Sequence, residues 1–192
     1  MPCLPIRTAA VVLSAAFTAS AAQAADFVVG AFANSSSGGI GLDTVSLNAG
    51  DSFSVMVDPT DLWSAGALPR WSNADGLTGP LFATGTDDSG EAAGTLIGAD
   101  FGLHSQGNLS AAFGTLVGQI DGGDFFAIGT SFNGVASASG TLKLFYWDSN
   151  FGDNLDQVTA SVTVGVVPEP ETYALMLAGL GLVGWMARRR RG

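Results

Sequence analysis

Asp148, Asn150, Asp153, Asn154 and Asp156 place five oxygen-bearing side chains within nine residues. Calcium takes six to eight oxygen ligands at ~2.3–2.6 Å, drawn from carboxylates, amide oxygens and backbone carbonyls. A short acidic loop can supply several of these. On that reading Asp148, Asp153 and Asn154 are the main ligands, and Asn150 or Asp156 with backbone carbonyls completes the shell. Asp and Asn also favour turns without any metal, so an ordinary Asx-rich turn is the alternative. An EF-hand is excluded: the Asp148-x-Asn150-x-Gly152 start has no closing Glu at the required distance and no flanking helices.

Other chemistry is sparse. Trp63 and Trp71 lie in a Pro-, Gly- and Asn-rich segment that runs to Asn73. There an aromatic face can stack on a sugar ring, or plug one end of a β-sandwich. Cys3, the only cysteine, falls in a segment expected to be removed, so the mature chain has no disulfide, thiol nucleophile or thiolate metal site. His104 is the only histidine and cannot build a histidine-based metal cluster. There is no Gly-x-Ser-x-Gly elbow and no P-loop. The carboxylate pairs Asp87-Asp88 and Asp121 with Asp124 suggest glycoside hydrolysis at most. Set in glycine-rich turns, they read as solvated loop residues, and the chain is expected not to be an enzyme.

Charge narrows the partners. Between Asp26 and Asp156 only Arg70 and Lys143 stand against 15 Asp and Glu, a net charge of −13. Nucleic acid needs a basic surface and is excluded as a partner. Divalent cations suit this charge, and so does simple solubility.

The elements that must position these residues are strands. Phe53, Val55 and Val57 alternate with polar or small neighbours, and so do Val158, Ala160, Val162 and Val164. Leu142, Leu144 and Tyr146 alternate with Lys143, Phe145 and Trp147. Shorter strands are expected over residues 27–33, 95–99, 115–120 and 125–128. Turns are expected at Asn48–Asp51, Asp121–Asp124 and Asn133-Gly134, and a short helical turn at 109–113. Gly94–Gly98 resembles Gly114–Gly118, which reads as two similar strands rather than a solenoid. The expected fold is all-β: a jelly-roll-like antiparallel β-sandwich over residues 25–166.

Both ends read as addresses. Residues 1–24 carry Arg7, an apolar stretch from Ala9 to Ala22 and the small-x-small pattern Ala22-Gln23-Ala24, which is a secretory signal peptide. At the other end Val167-Pro168-Glu169-Pro170 precedes an uncharged run from Tyr173 to Ala187, then Arg188, Arg189, Arg190 and Arg191. The run is expected to form one C-terminal transmembrane helix. Its 15 residues reach only ~22 Å, and snorkelling arginines would have to make up the ~30 Å of the hydrocarbon core. The positive residues would stay cytoplasmic.

Residues 167–192 resemble the PEP-CTERM sorting signal in its three-part order. The resemblance implies an exported protein of an exopolysaccharide-making bacterium, processed by an exosortase. It would be held in the inner membrane as a precursor and then delivered to the cell surface or biofilm matrix. The middle of the chain resembles the PA-I-type galactose-binding lectins at Asn48–Asp51, Gly114–Ile120, Phe125–Gly129, Gly140–Asp148 and Gly152–Asn154. That family is a small jelly-roll sandwich in which calcium bridges protein and sugar hydroxyls. Asp148 matches the aspartate ending its penultimate strand, and Asp153 and Asn154 match its asparagine pair, with Asp in place of the first Asn. Leu62-Trp63 is the nearest candidate for its tyrosine ligand, and Arg70–Asn73 occupies the place of its sugar-contacting histidine. The resemblance implies a calcium-dependent, lectin-like surface protein whose partners are exopolysaccharide or galactosides. A structural matrix protein of the same fold without a sugar site is the alternative.

Overall fold

Apolar residues at every second position force the backbone of the middle segment into strands with one face buried. The computed structural model describes residues 23–165 and 170–189. The strands are β1 (Gln23–Gly30), β2 (Leu42–Leu47), β3 (Ser52–Val57), β4 (Trp63–Ser64), β5 (Trp71–Ser72), β6 (Leu81–Phe82) and β7 (Leu96–Gly98). They continue with β8 (Leu103–Gln106), β9 (Leu109–Ala112), β10 (Leu116–Ile120), β11 (Phe126–Ala127), β12 (Ser131–Val135), β13 (Gly140–Tyr146) and β14 (Leu155–Gly165). One helix, α1 (Pro170–Arg189), follows. The signal segment lies outside the described residues up to residue 22, and so do Pro168, Glu169, Arg190 and Arg191.

β14 organises the first sheet. One of its edges pairs with all of β1, from Gln23 opposite Val164 to Gly30 opposite Gln157. The other edge carries β3 against Ala160–Gly165 and β4 against Leu155 and Asp156. β12 extends the sheet beyond β3, and β5 beyond β4. The gap between β3 and β4 is filled by Asp61, whose carboxylate accepts the Thr159 N–H at 3.1 Å. The second sheet has the order β11-β10-β13-β2.

The two sheets share one core. Val55, Val158, Ala160 and Val162 from the first pack with Leu116, Leu142, Leu144 and Tyr146 from the second, all of them buried. The period-two pattern therefore places these side chains as expected. Trp147 behaves differently. Its position in the alternation points it to the outer face, yet it is fully buried. The β8–β9 hairpin covers it: the indole N–H donates to the His104 carbonyl at 2.9 Å. The rings of His104 and Phe125 each stand 5.2 Å away.

Two local expectations are corrected. Residues 109–112 form β9, not a helical turn, because they pair with β8 from Leu103–Ala112 to Gln106–Leu109. Asn133-Gly134 is not a turn but the middle of β12, paired with Ser54 and Phe53. Gly134 is needed there because the Phe132 ring lies where a Cβ would stand.

The expected transmembrane helix is also corrected. α1 forms, with Arg188 and Arg189 in its last turn where they complement the helix dipole. Among the described residues, however, no helix is long and apolar enough to cross a membrane. Two arginines at one end, with Pro170 and Glu171 at the other, shorten the apolar part below the required length.

Two outcomes follow from this packing. Trp147→Ala should destabilise the domain by about 3–5 kcal/mol in urea unfolding, as a core aromatic does and an outer-face residue does not. Every described side chain of α1 from Leu175 to Arg189 is exposed. Removing residues 166–192 should therefore leave the melting temperature of the β-domain unchanged, and a lowered value would mean that the tail contributes to the core.

Candidate functional site

β13 and β14 are consecutive in the chain but lie in different sheets, so the chain between them must turn to cross from one sheet to the other. The turn is a short 3-10 segment over Phe151–Asp153. Asn150 caps it: its side-chain oxygen accepts the Gly152 N–H at 3.2 Å, and its amide donates to Asp153 Oδ1 at 3.0 Å. The Asn154 N–H closes the turn on the Phe151 carbonyl at 3.2 Å. This geometry buries Asn154 and leaves Asp153 at the rim.

Asp148 is buried at 4% exposure and Asn154 at 3%. The Ser36 hydroxyl holds the Asp148 backbone, donating to its carbonyl at 3.0 Å and accepting its N–H at 3.1 Å. The Ser149 N–H donates to the Asp148 carboxylate at 2.6 Å. Burial pushes the Asp148 carboxyl above its ordinary value of 3.8. Hydrogen bonds from Ser149, Asn154 and Asn150 pull it back in part, and the negative charge of Asp153 pushes it up again. The Asn154 amide donates to the Ala31 carbonyl at 3.1 Å, but its side-chain oxygen is buried without a partner.

The segment from Ser64 to Arg70 forms the facing wall. The Ser64 hydroxyl donates to the Gly66 carbonyl at 2.7 Å. Gly66 has φ +108, and a Cβ there would collide with the Asp153 carboxylate. Glycine therefore permits both the left-handed backbone and its close approach to Asp153. Arg70 Nη1 stands 3.6 Å from Asp153 Oδ2, with its guanidinium 4.5 Å from the Phe101 ring centroid. On the other side of the turn, half-exposed Phe32 packs on Phe151 with centroids 5.1 Å apart.

The site residues read from the sequence separate into two groups. Asp148, Asn150, Asp153 and Asn154 come together in the turn. Asp156 stands apart: it is exposed on β14 with φ 68, and its carboxylate accepts the Gln157 N–H at 2.8 Å. Of the two roles open to Trp63, stacking on a sugar and plugging the sandwich, the structure has the second. The Trp63 ring is fully buried, edge-on to Tyr146, and its N–H donates to the Gly114 carbonyl at 2.9 Å. Trp71 is buried as well, in a second cluster with Leu62, Ala83 and Ile97, so neither tryptophan has a face free for a sugar. Asn73 uses its side chain on the loop, accepting the Asp75 N–H at 3.0 Å and donating to the Pro59 carbonyl at 3.3 Å. The sequence reading missed Ser36, Ser64 and Gly66, and had Arg70 only as part of the segment in the place of the family's histidine. Its candidate for the facing ligand, Leu62-Trp63, lies just short of the Ser64–Gly66 backbone that reaches Asp153. The available signal was the glycine of Ser64-Ala65-Gly66 between two short strands. Among the described residues, no group of three or more His, Cys, Asp or Glu could hold a metal ion.

The tail is settled by comparison with known families. Residues 166–191 match the PEP-CTERM protein-sorting motif. The chain carries a PEP-CTERM sorting motif. The motif implies an exported, exosortase-processed protein. No curated protein matches the chain. Among solved structures it is similar to a chain described as "EclA N-terminal domain; PllA-like lectin". The identity is 17%, the TM-score 0.45, and the match covers 74% of this chain and 95% of that chain.

The buried Asp148 sets a pH dependence. Its folded-state carboxyl titrates above the unfolded one, so the folded state holds the extra proton between the two values. Without metal, stability should be fullest below about pH 3.8 as far as this group is concerned, and should fall as pH rises through its raised value. Asp148→Asn should remove that fall and raise metal-free stability at pH 7 relative to the parent. Urea titrations of both proteins from pH 3 to 8 in EDTA measure it.

Proposed function

We propose that this chain is an exported cell-surface or matrix protein whose β-domain binds carbohydrate without catalysis, through calcium held at the turn before β14. The observation that carries the reading is the Asn154 side-chain oxygen, buried beside Asp148 with no partner. A buried acceptor left unsatisfied costs about 1–3 kcal/mol, and a cation would satisfy it. The donors around it fit calcium in type, being carboxylate, amide and backbone oxygens with no sulfur or imidazole. Asp148, Asp153 and Asn154 would hold the ion, and the Gly66 backbone, which closely approaches the Asp153 carboxylate, lies on the facing side. A bound ion would supply positive charge between two carboxylates that now repel each other, and open positions for sugar hydroxyls. The resemblance of Asp148, Asp153 and Asn154 to the ligand positions of PA-I-type lectins agrees with this role. Galactosides and exopolysaccharide are the partners it suggests.

The second reading, a matrix protein of the same fold without a sugar site, draws on Arg70 and Asn150. Both already contact Asp153 and partly neutralise or satisfy it.

Thermal unfolding with calcium and with EDTA separates the two. An ion that binds only the native state stabilises it by about 2.7 kcal/mol at a hundredfold excess over Kd. Calcium should raise the melting temperature of the parent, and Asp148→Asn should abolish the rise. The same substitution is expected to stabilise the metal-free protein, and its melting temperature in EDTA, measured beside the parent's, separates loss of the ion from general damage to the fold. An unchanged melting temperature and no heat of binding at millimolar calcium would leave the turn without an ion and favour the second reading.

A further inference from the structure

A second cleft, away from the Asp148 turn, lies between the β3–β4 connection and the turn after β6. Its volume is about 480 Å³, and Asp61, Leu62, Leu81, Phe82, Asp87 and Asp88 are among the residues that line it. Small-ligand sites fall in the range of ~300–1,000 Å³. Its walls are tied together: Asp88 accepts the Leu62 N–H at 2.8 Å, across 26 residues of chain. Asp61 is fixed to β14 through Thr159 at 3.1 Å. Asp87 is clamped by Thr84 and Ser89, whose hydrogen bonds hold it down to about 2, so it stays charged. Asp61 and Asp88 each use one carboxylate oxygen in these bonds. Among the described residues no donor reaches the other oxygen.

The lining has a definite chemical preference. It contains no Lys, Arg or His. The two basic residues of the domain are engaged elsewhere, Arg70 with Asp153 and Lys143 with Asp43. Phe82 is 56% exposed at the cleft, beside the aliphatic Leu81. The negative face of an aromatic ring attracts a cation, and carboxylates bind an ammonium through charge-assisted hydrogen bonds. A bare metal ion would leave the ring and the aliphatic floor unused, and an anionic sugar would be repelled. A ligand with an ammonium group on a ring that has an apolar C–H face uses every part of the lining; the Thr60 and Thr84 hydroxyls, which donate to Asp58 and Asp87, can still accept from its hydroxyls.

We propose that this cleft binds an amine-bearing saccharide, a hexosamine unit of a partly deacetylated polysaccharide, with its ammonium at Asp61 and Asp88 and its ring against Phe82. The proposal rests on the carbohydrate-binding reading above but uses neither the Asp148 turn nor calcium.

Calorimetric titration of the full chain in EDTA tests it, with glucosamine oligomers, the N-acetylated oligomers of equal length, and trilysine as probes. The glucosamine oligomer should bind and weaken as salt rises. Acetylation, which removes the charge, should cost about tenfold or more in affinity. Phe82→Ala removes an exposed ring and should leave the melting temperature unchanged while weakening binding. Asp88→Asn keeps the shape and the acceptor for Leu62 and should weaken binding of the free amine but not of the acetylated oligomer. Absence of glucosamine binding, equal affinity for the acetylated form, or trilysine binding as tightly as the oligomer would overturn the proposal. Binding that appears only when calcium replaces EDTA would also overturn it, and would return the sugar site to the Asp148 turn.

Discussion

The ladder made by β14 is the constraint on which the rest of the domain depends. Its first edge is occupied without a break by β1, while its second is shared by β3 and β4 in succession. One strand can serve two neighbours on one edge only if something covers the step between them. Asp61 does so with a carboxylate in place of a backbone carbonyl. The arrangement fixes where the β4–β5 hairpin stands, because β4 has only Leu155 and Asp156 to pair with. Those two residues directly follow the acidic turn. The hairpin loop with Gly66 and Arg70 is thereby held over Asp153, and the candidate site is a consequence of the step in the ladder.

The acidic composition takes on a different meaning in this light. Most of the excess carboxylates are not a diffuse charged coat. Asp51 accepts the Asn48 N–H at 2.7 Å, Asp75 the Thr130 N–H at 2.7 Å, Asp121 the Thr141 N–H at 2.9 Å and Asp88 the Leu62 N–H at 2.8 Å. Each closes a loop by satisfying a backbone donor that no strand reaches. With glycine-rich connections and few long strands, the domain needs such staples in number. Asp148 differs from these, because it is buried, feels the charge of a second carboxylate, and neighbours an amide oxygen with nothing to accept from.

How much of this was legible in the sequence follows from the periods involved. β3, β13 and β14 were readable because one face of each is buried along its length, which writes a clean alternation. β4, β5 and β6 have two residues each and carry no period, so Trp63 and Trp71 looked like loop aromatics when they are core. Asn133-Gly134 carried the strongest local turn signal and proved to be strand, since Gly134 serves the Phe132 ring rather than a turn. In the candidate site, the oxygen-bearing side chains are visible in the sequence because they crowd into one loop. The facing wall is not, because Gly66 contributes backbone from a distant hairpin and its side chain carries no chemistry. Asp156 was included by proximity in sequence alone, and its positive φ turns it onto the strand instead.

The same ladder separates the two halves of the protein's work. Gly165 ends β14 immediately before the sorting motif, and Gln23 of β1 lies one pair away, opposite Val164. Both chain exits therefore leave the sandwich side by side. If cleavage follows Ala24, Ala25–Gly30 remain paired and β1 loses only its outermost two residues. The acidic turn stands at the other end of β14, which at ~3.3 Å per residue lies roughly 35 Å away. The end that carries Asp148, Asp153 and Asn154 is therefore the one remote from both chain exits, and the turn and the sorting motif lie at opposite ends of one strand.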